Sequence, residues 1–280
     1  MNIGIIGAGV MGRGVALAYA QYGHSIVLVD IEESVLEEAK QQIMIDYRFQ
    51  GMYGKKCNDT IEDILKRITL TTRLEDVEAC TYIIENVTEN WDIKKDVYLK
   101  LDAICGEDTR YAVNTSCFSI TQVGALMEKP ENVIGSHYMN PAHIKSTVEV
   151  IKGYHTSEET VNLTLDLLKS INNEGVVVND LPGFVSNRVL MLTVNEAIYL
   201  VHEGVAEPKN VDKIFKQCFG HKMGPLETAD LIGLDTILFS VEVLYDSYCD
   251  SKYRPCPLLK KMVSAGLLGR KSGQGFYNYK

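Results

Sequence analysis

The chain has 280 residues, of which 46% are hydrophobic and 23% charged, a composition typical of a folded protein rather than a disordered one. Acidic residues outnumber basic ones by 37 to 28, which gives a formal net charge of -9 and argues against a nucleic-acid binder. The apolar runs are too short for a signal peptide or a membrane span, so we expect a cytoplasmic protein.

Eight short apolar runs alternate with longer amphipathic segments in the first 180 residues. The runs lie at residues 2–7, 25–30, 67–72, 82–87, 111–116, 133–139, 147–151 and 176–180. Helical periodicity fills gaps such as 10–22 and 92–105, and a charged segment over 32–65, broken near Gly51 and Gly54, predicts a helical arm. The pattern predicts an α/β fold with a doubly wound, mostly parallel sheet of the Rossmann type.

A second domain is predicted from about residue 181 onwards. Pro182 suits the first turn of a helix, and apolar residues then recur at helical spacing through Leu200. No strand pattern follows until the last few residues, so we expect domains at 1–180 and 181–280, the second all-α. Helices over 184–200 and 230–245 carry more apolar residues than one small domain can bury, which predicts a homodimer.

A G-x-G-x-x-G motif follows the first predicted strand directly and opens the first helix. Its residues are Gly7, Gly9, Val10, Met11 and Gly12. The second strand ends in Asp30, whose carboxylate suits the ribose hydroxyls of adenosine and would repel a 2′-phosphate. The arrangement predicts NAD binding. The alternatives are a purely structural glycine turn and an acid that only caps the strand.

A histidine and a carboxylate lie inside neighbouring apolar runs, where apolar residues would pack more easily. These are His137 in VIGSHYM and Glu149 in TVEVI. Imidazole titrates near neutral pH and suits a general base, and a carboxylate on its far nitrogen fixes the tautomer. The pair predicts an acid–base dyad. The alternative is a core histidine with a nearby surface glutamate.

The sequence resembles the 3-hydroxyacyl-CoA dehydrogenases, and within them the short bacterial 3-hydroxybutyryl type, over essentially the whole chain. The resemblance rests on collinear motifs, namely GAGVMGRGVA, NTSCFSIT, IGSHYMNP, VEVI, PGFVSNRV, GHKMGPLETADLIGLD and the run from SKYRPCPLL to GFYNY. It implies an NAD-dependent oxidoreductase acting on an acyl thioester.

The resemblance also implies roles for individual residues at the reaction centre. His137 is expected to be the general base and Glu149 its orienting partner. Ser116 and Asn187 are expected to hydrogen-bond the reacting oxygen and to hold the thioester. Asn114 is expected to be a further contact in the same site.

Other matching positions are expected to contact the cofactor or coenzyme A. Glu89 and Lys94 correspond to positions that contact NAD, and Asn114 is also expected to contact the cofactor. Lys55 aligns with a region that contacts coenzyme A phosphates. An exposed loop lysine with no ligand is the alternative there, and Lys56 could take the same role.

The turn after His137 departs from the family pattern. Tyr138 and Met139 replace two phenylalanines, and His143 and Lys145 stand in a turn that is apolar in relatives. This favours, as an alternative substrate, a polar acyl group such as glyceryl on an acyl carrier protein. Neutral variation on a solvated turn is equally open.

Two functions of different class therefore remain. The first is dehydrogenation of 3-hydroxyacyl thioesters, most simply 3-hydroxybutyryl-CoA. The second is a non-catalytic nucleotide-binding protein, which would need neither His137 nor Glu149. Six histidines without a ligand motif and seven cysteines without a CxxC pair predict no metal.

Overall fold

The computed structural model describes residues 1–54 and 57–279. Its two compact units are Met1–Asp180 and Leu181–Lys280. Among the described residues, no helix has the length and apolar character needed to cross a membrane.

The first unit is built on one sheet of eight strands in the order β3-β2-β1-β4-β5-β6-β7-β8. The strands are β1 Asn2–Ile6, β2 Ser25–Val29, β3 Ile68–Thr71, β4 Tyr82–Glu85, β5 Arg110–Val113, β6 Val133–Tyr138, β7 Thr147–Lys152 and β8 Glu174–Asn179. All neighbours pair in parallel except β6 and β7. The order reverses between β1 and β4, and this switch point confirms the predicted doubly wound class.

The helices of the first unit are α1 Val10–Ala20, α2 Glu33–Phe49, α3 Ile61–Leu65, α4 Trp91–Ile104, α5 Ile120–Gly124 and α6 Glu158–Ser170. Short 3₁₀ helices cover Gln50–Tyr53, Leu74–Val77 and Pro130–Asn132. Within the predicted arm of 32–65 the structure has α2, the 3₁₀ helix that follows it and α3. The predicted break corresponds to the end of that 3₁₀ helix, where Gly54 adopts a left-handed conformation (φ 77°).

One face of the sheet packs against α1, α2 and α6 in a single apolar cluster, which includes Tyr138 and Val148. Successive side chains of a strand point to opposite faces, so His137 and Glu149 face the other side of the sheet. Gly135 shares that side, where an added Cβ would lie 2.7 Å from the Ile120 side chain of α5. The alternation of side chains along β6 and β7 thus places Tyr138 and Val148 in this apolar cluster and His137 and Glu149 on the opposite face.

The second unit is helical, as predicted. Its helices are α7 Ser186–His202, α8 Pro208–Cys218, α9 Pro225–Ile232, α10 Leu234–Tyr248 and α11 Pro257–Ser264, with 3₁₀ turns at Ser251–Tyr253 and Arg270–Ser272. Two expectations were wrong in detail. Pro182 does not begin the helix, because Gly183 and Phe184 adopt left-handed conformations (φ 78° and 50°). The helix predicted over 230–245 is two helices, which Gly233 separates (φ 106°).

Two buried carboxylates hold the end of the chain against this unit. Asp230 of α9 accepts hydrogen bonds from the backbone N–H of Phe276 and Tyr277 at 3.0 and 2.9 Å. Asp212 of α8 accepts from the Tyr277 hydroxyl at 2.6 Å. Both aspartates are almost fully enclosed, at 0% and 1% exposure. The C-terminal segment is therefore part of the packing of the helical unit.

Candidate active site

The glycine motif forms a tight turn between β1 and α1. Gly7 has a φ of 92°, and a Cβ on it would lie 2.7 Å from the Asn86 carbonyl oxygen. A Cβ on Gly12 would lie 1.8 Å from the Gly7 carbonyl oxygen. Gly9, the N-cap of α1, has no atom within 4 Å of an added Cβ, and no side chain caps the helix. The first amides of α1 can therefore approach an anion closely, as a pyrophosphate requires. Val10, half exposed, and Met11 begin the helix at this point.

Asp30 follows β2 and holds the glycine turn. One carboxylate oxygen accepts a hydrogen bond from the Ala8 backbone N–H at 2.8 Å. The other lies 3.3 Å from the Glu32 backbone N–H. A carboxylate has about four acceptor positions, so ribose hydroxyls can still bind here. The residues present fit an adenosine ribose and a pyrophosphate, as NAD would supply.

His137 and Glu149 are direct cross-strand partners in the antiparallel pair of β6 and β7. Nδ1 of His137 lies 2.8 Å from Oε2 of Glu149, and both residues are at least nine-tenths buried. A carboxylate only accepts hydrogen bonds, so Nδ1 carries the proton and Nε2 has its lone pair available. Nε2 lies 3.0 Å from the hydroxyl oxygen of Ser116. The structure thus brings together three of the predicted catalytic residues.

The loop after β5, residues 114–118, carries Ser116 and is held from the neighbouring strand ends. Glu89 accepts hydrogen bonds from the Ser116 backbone N–H at 2.8 Å and from the Thr115 hydroxyl at 3.0 Å. Asn114 donates to the Asn86 side chain at 2.6 Å and accepts from the Tyr138 backbone N–H at 3.2 Å. Glu89 and Asn114 therefore shape the site, and their contact with NAD stays a prediction.

Cys117 lies next to Ser116 in this loop. Its thiol lies 3.9 Å from the Glu89 carboxylate. Burial, together with this negative charge, raises the pKa of the Cys117 thiol to about 12. The thiol therefore stays protonated at neutral pH.

Lys94 lies in α4 and is fully buried. Its contact with NAD stays a prediction. Its ammonium nitrogen lies 2.9 and 3.0 Å from the two carboxylate oxygens of Glu85. Sequence reasoning missed Glu85. The signal was a carboxylate at the end of the buried strand YIIE, the same kind of signal that drew attention to Glu149.

The remaining predicted residues belong to the helical unit or lie outside the described residues. Asn187 is the second residue of α7 in the helical unit and is partly exposed. Lys55 and the neighbouring Lys56 lie outside the described residues, so the predicted contact with coenzyme A phosphates stays a prediction.

The turn between β6 and β7 is less solvated than the sequence suggested. His143 is only 7% exposed, and its Nδ1 would lie 3.9 Å from a Cβ on Gly14 of α1. It borders a cavity of about 390 Å³ together with Arg13, Asp46 and Tyr53. Lys145, in contrast, is exposed. The interpretation of His143 as a neutral change assumed that its position is solvated. This assumption is wrong, because His143 is buried.

Comparison with known families gives two matches that together cover nearly the whole chain. Residues 2–181 match the NAD binding domain of 3-hydroxyacyl-CoA dehydrogenase. Residues 183–279 match the C-terminal domain of the same enzyme.

Individual relatives are similar over their full length. The chain is 45% identical to a probable 3-hydroxybutyryl-CoA dehydrogenase of Deinococcus radiodurans, covering 100% of both chains. It is 40% identical to the 3-hydroxybutyryl-CoA dehydrogenase of Clostridioides difficile, covering 100% of this chain and 99% of that one. The crystal structure of (S)-3-hydroxybutyryl-CoA dehydrogenase from Ralstonia eutropha superposes with a TM-score of 0.95 at 38% identity, covering 100% and 99%.

Alanine at two glycines of the motif should separate cofactor binding from folding. Gly9→Ala should fold with an unchanged melting temperature, because its Cβ meets open space, but should bind NADH about tenfold or more weakly because the Cβ enters the pyrophosphate site. Gly12→Ala should lower the melting temperature as well, because its Cβ overlaps the Gly7 carbonyl. Fluorescence titration with NADH and thermal melting measure both effects. Normal NADH affinity of Gly9→Ala would contradict the assigned site.

Proposed function

Because the chain belongs to the 3-hydroxyacyl-CoA dehydrogenase family, we propose that it interconverts 3-hydroxybutyryl-CoA and acetoacetyl-CoA. It is an NAD-dependent dehydrogenase of 3-hydroxyacyl thioesters. The observation that best supports the choice of catalytic residues is the contiguous set of Ser116, His137 and Glu149 at hydrogen-bonding distance. A non-catalytic nucleotide-binding protein would need no such set.

The proton chemistry follows from the protonation state of the dyad. NAD, when bound, would supply the acceptor for the hydride that leaves C3 of the substrate. His137 takes the hydroxyl proton on Nε2 as the alcohol becomes a ketone. Glu149 stabilises the resulting imidazolium through Nδ1, and the buried setting strengthens that interaction. In the reverse direction His137 returns the proton to the oxygen.

Substrate orientation is assigned to Ser116 and, from the family motif, to residues outside β6 and β7. The hydroxyl of Ser116 lies 3.0 Å from Nε2 of His137, so a substrate oxygen near that nitrogen is also within reach of Ser116. We assign Asn187 to the thioester and Lys55 to a phosphate of coenzyme A, on the strength of the family motif. Lys94 and Glu89 are assigned to the cofactor side of the same site.

His137→Ala should lose most turnover while NADH binding survives. The general base is removed, and such a loss lowers kcat on the order of 10²–10⁴-fold. The measurement is the oxidation of NADH with acetoacetyl-CoA, with NADH affinity determined separately by fluorescence.

A matched control for this variant is His202→Ala, because His202 is an exposed residue at the end of α7. Its turnover should equal that of the wild type. Turnover of His137→Ala within a few-fold of the wild type would remove His137 from the mechanism.

A second candidate keeps the chemistry and changes the acyl group. The burial of His143 beside Arg13, at a cavity of about 390 Å³, supports recognition of a polar group. Arg13 is mostly buried, and its guanidinium lies 3.7 Å from the exposed Glu38 carboxylate, so it can also serve a ligand. Such a group would be a polar acyl chain, for instance glyceryl, carried on the phosphopantetheine of an acyl carrier protein.

His143→Val tests this candidate. It should lower kcat/KM for a glyceryl thioester about tenfold, the value of one lost hydrogen bond, and leave acetoacetyl-CoA within about twofold. Lys145→Ala, an exposed change in the same turn, should affect neither substrate. Equal losses on both substrates would mean that His143 only holds the turn in place.

We also propose a homodimer formed through the helical unit. Large apolar side chains are exposed on its surface, with Val189 of α7 at 61%, Leu231 of α9 at 50% and Phe239 of α10 at 48%. Exposed apolar groups of this kind are typical of subunit interfaces.

Light scattering at micromolar concentration should give the mass of two chains. Val189→Glu should shift the mass towards that of one chain, whereas Val177→Glu, on strand β8 of the first unit, should not. A monomeric wild-type protein would contradict the proposal.

A further inference from the structure

Glu85 and Lys94 form a fully enclosed ion pair beneath the active-site loop. Each has 0% exposure, and the ammonium nitrogen of Lys94 lies 2.9 and 3.0 Å from the two oxygens of Glu85. Glu85 also accepts a hydrogen bond from the Val87 backbone N–H at 2.7 Å. Desolvation makes such pairs expensive, and apolar side chains of similar size often stabilise a core as well. Fold stability alone therefore does not account for this pair.

Lys94 lies near one residue of the loop 114–118, Phe118, and near Glu89, which holds the loop. Its nitrogen lies 4.0 Å from Oε2 of Glu89 and 6.0 Å from the centre of the Phe118 ring. Phe118 also packs against Trp91, the first residue of α4, with the ring centres 5.9 Å apart. The cation is thus enclosed by Glu85 on one side and by groups that belong to, or hold, the loop on the other.

Glu89 connects Lys94 to the loop that carries Ser116. Its two carboxylate oxygens accept hydrogen bonds from the Ser116 backbone N–H and the Thr115 hydroxyl. The side chain is 34% exposed, so water competes with the loop for its carboxylate, and the ammonium of Lys94 at 4.0 Å favours the position against the loop. Ser116 in turn contacts His137 at 3.0 Å. A continuous series of contacts therefore links Glu85 to the dyad.

We propose that Glu85 and Lys94 are positioning residues for the reaction. Glu85 fixes the ammonium of Lys94, Lys94 holds Glu89 and Phe118, and these two keep Ser116 in contact with His137. The inference rests on the proposed function for its kinetic consequences. Its structural consequence, the distance from Ser116 to His137, does not depend on the substrate.

The first test replaces the whole pair by apolar residues, Glu85→Leu with Lys94→Met. A single substitution would leave one buried charge without its partner and risk unfolding the protein. The double variant should melt within a few degrees of the wild type, whereas kcat with acetoacetyl-CoA and NADH should fall about tenfold or more, since small displacements of a catalytic group are costly. Full kcat in a stable variant, or a change confined to KM for NADH, would overturn the inference.

A matched control replaces an ion pair that does not contact the loop. Arg110 at the start of β5 lies 2.6 Å from Glu159 of α6. Arg110→Met with Glu159→Leu should leave kcat within about twofold of the wild type, because this pair has no contact with residues 114–118. An equal loss of kcat in the control would assign the effect to general loosening of the sheet and overturn the inference.

A double-mutant cycle with Ser116→Ala tests the route of the effect. If the pair acts through Ser116, adding Glu85→Leu and Lys94→Met to Ser116→Ala should cost less than about twofold in kcat. Losses that multiply would show a separate role and overturn the inference.

A crystal structure of the double variant provides a readout besides activity. The distance from Ser116 Oγ to His137 Nε2 should lengthen beyond about 3.5 Å, the limit of a hydrogen bond. An unchanged contact would overturn the inference even if the substrate of the protein proves to be different.

Discussion

The antiparallel pairing of β6 with β7 is the constraint on which the rest of the site depends. It is the exception in a sheet whose other neighbours are parallel, and it places His137 directly opposite Glu149. A shift of one residue in this register would send the two side chains to opposite faces of the sheet. The apolar residues of both strands prevent this shift, since either Tyr138 or Val148 would then leave the core under α1 and α6. Catalytic geometry is thus secured by hydrophobic packing on the reverse face.

A second layer of constraint comes from charges that the fold encloses. Near the carboxyl ends of β4 and β5, carboxylates accept from two backbone amides, one hydroxyl and one ammonium group. Such groups are expensive to bury, and each is acceptable only because its partners are in place. The loop that carries Ser116 is therefore held by polar contacts, and the strands that carry His137 and Glu149 are held by hydrophobic packing. The reaction centre lies between this loop and these two strands.

Much of this architecture could be predicted from the sequence, because the signals are local. Continuous apolar runs predicted the strands, and glycine spacing predicted the turn before α1. The predictions that failed concern features that depend on residues distant in sequence or on the backbone conformation of one residue. His143 is buried next to Gly14 of α1, an element that is distant in sequence. The helix break at Gly233 depends on a left-handed conformation that helical periodicity does not reveal. The partner of Lys94 could have been suspected, because Glu85 interrupts an apolar strand, but its distance could not.

The hydrogen bonds that close the helical unit also bear on the order in which the chain can fold during synthesis. The first unit is continuous in sequence, so all its strands have been made once residue 180 has been added. Asp212 and Asp230, in contrast, receive donors from residues 276–279. Until those residues have been added, Asp230 lacks these donors, whereas Asp212 can already accept from the backbone N–H groups of Leu226 and Glu227. The strands of the first unit are therefore complete in sequence well before the helical unit has all the donors that close it.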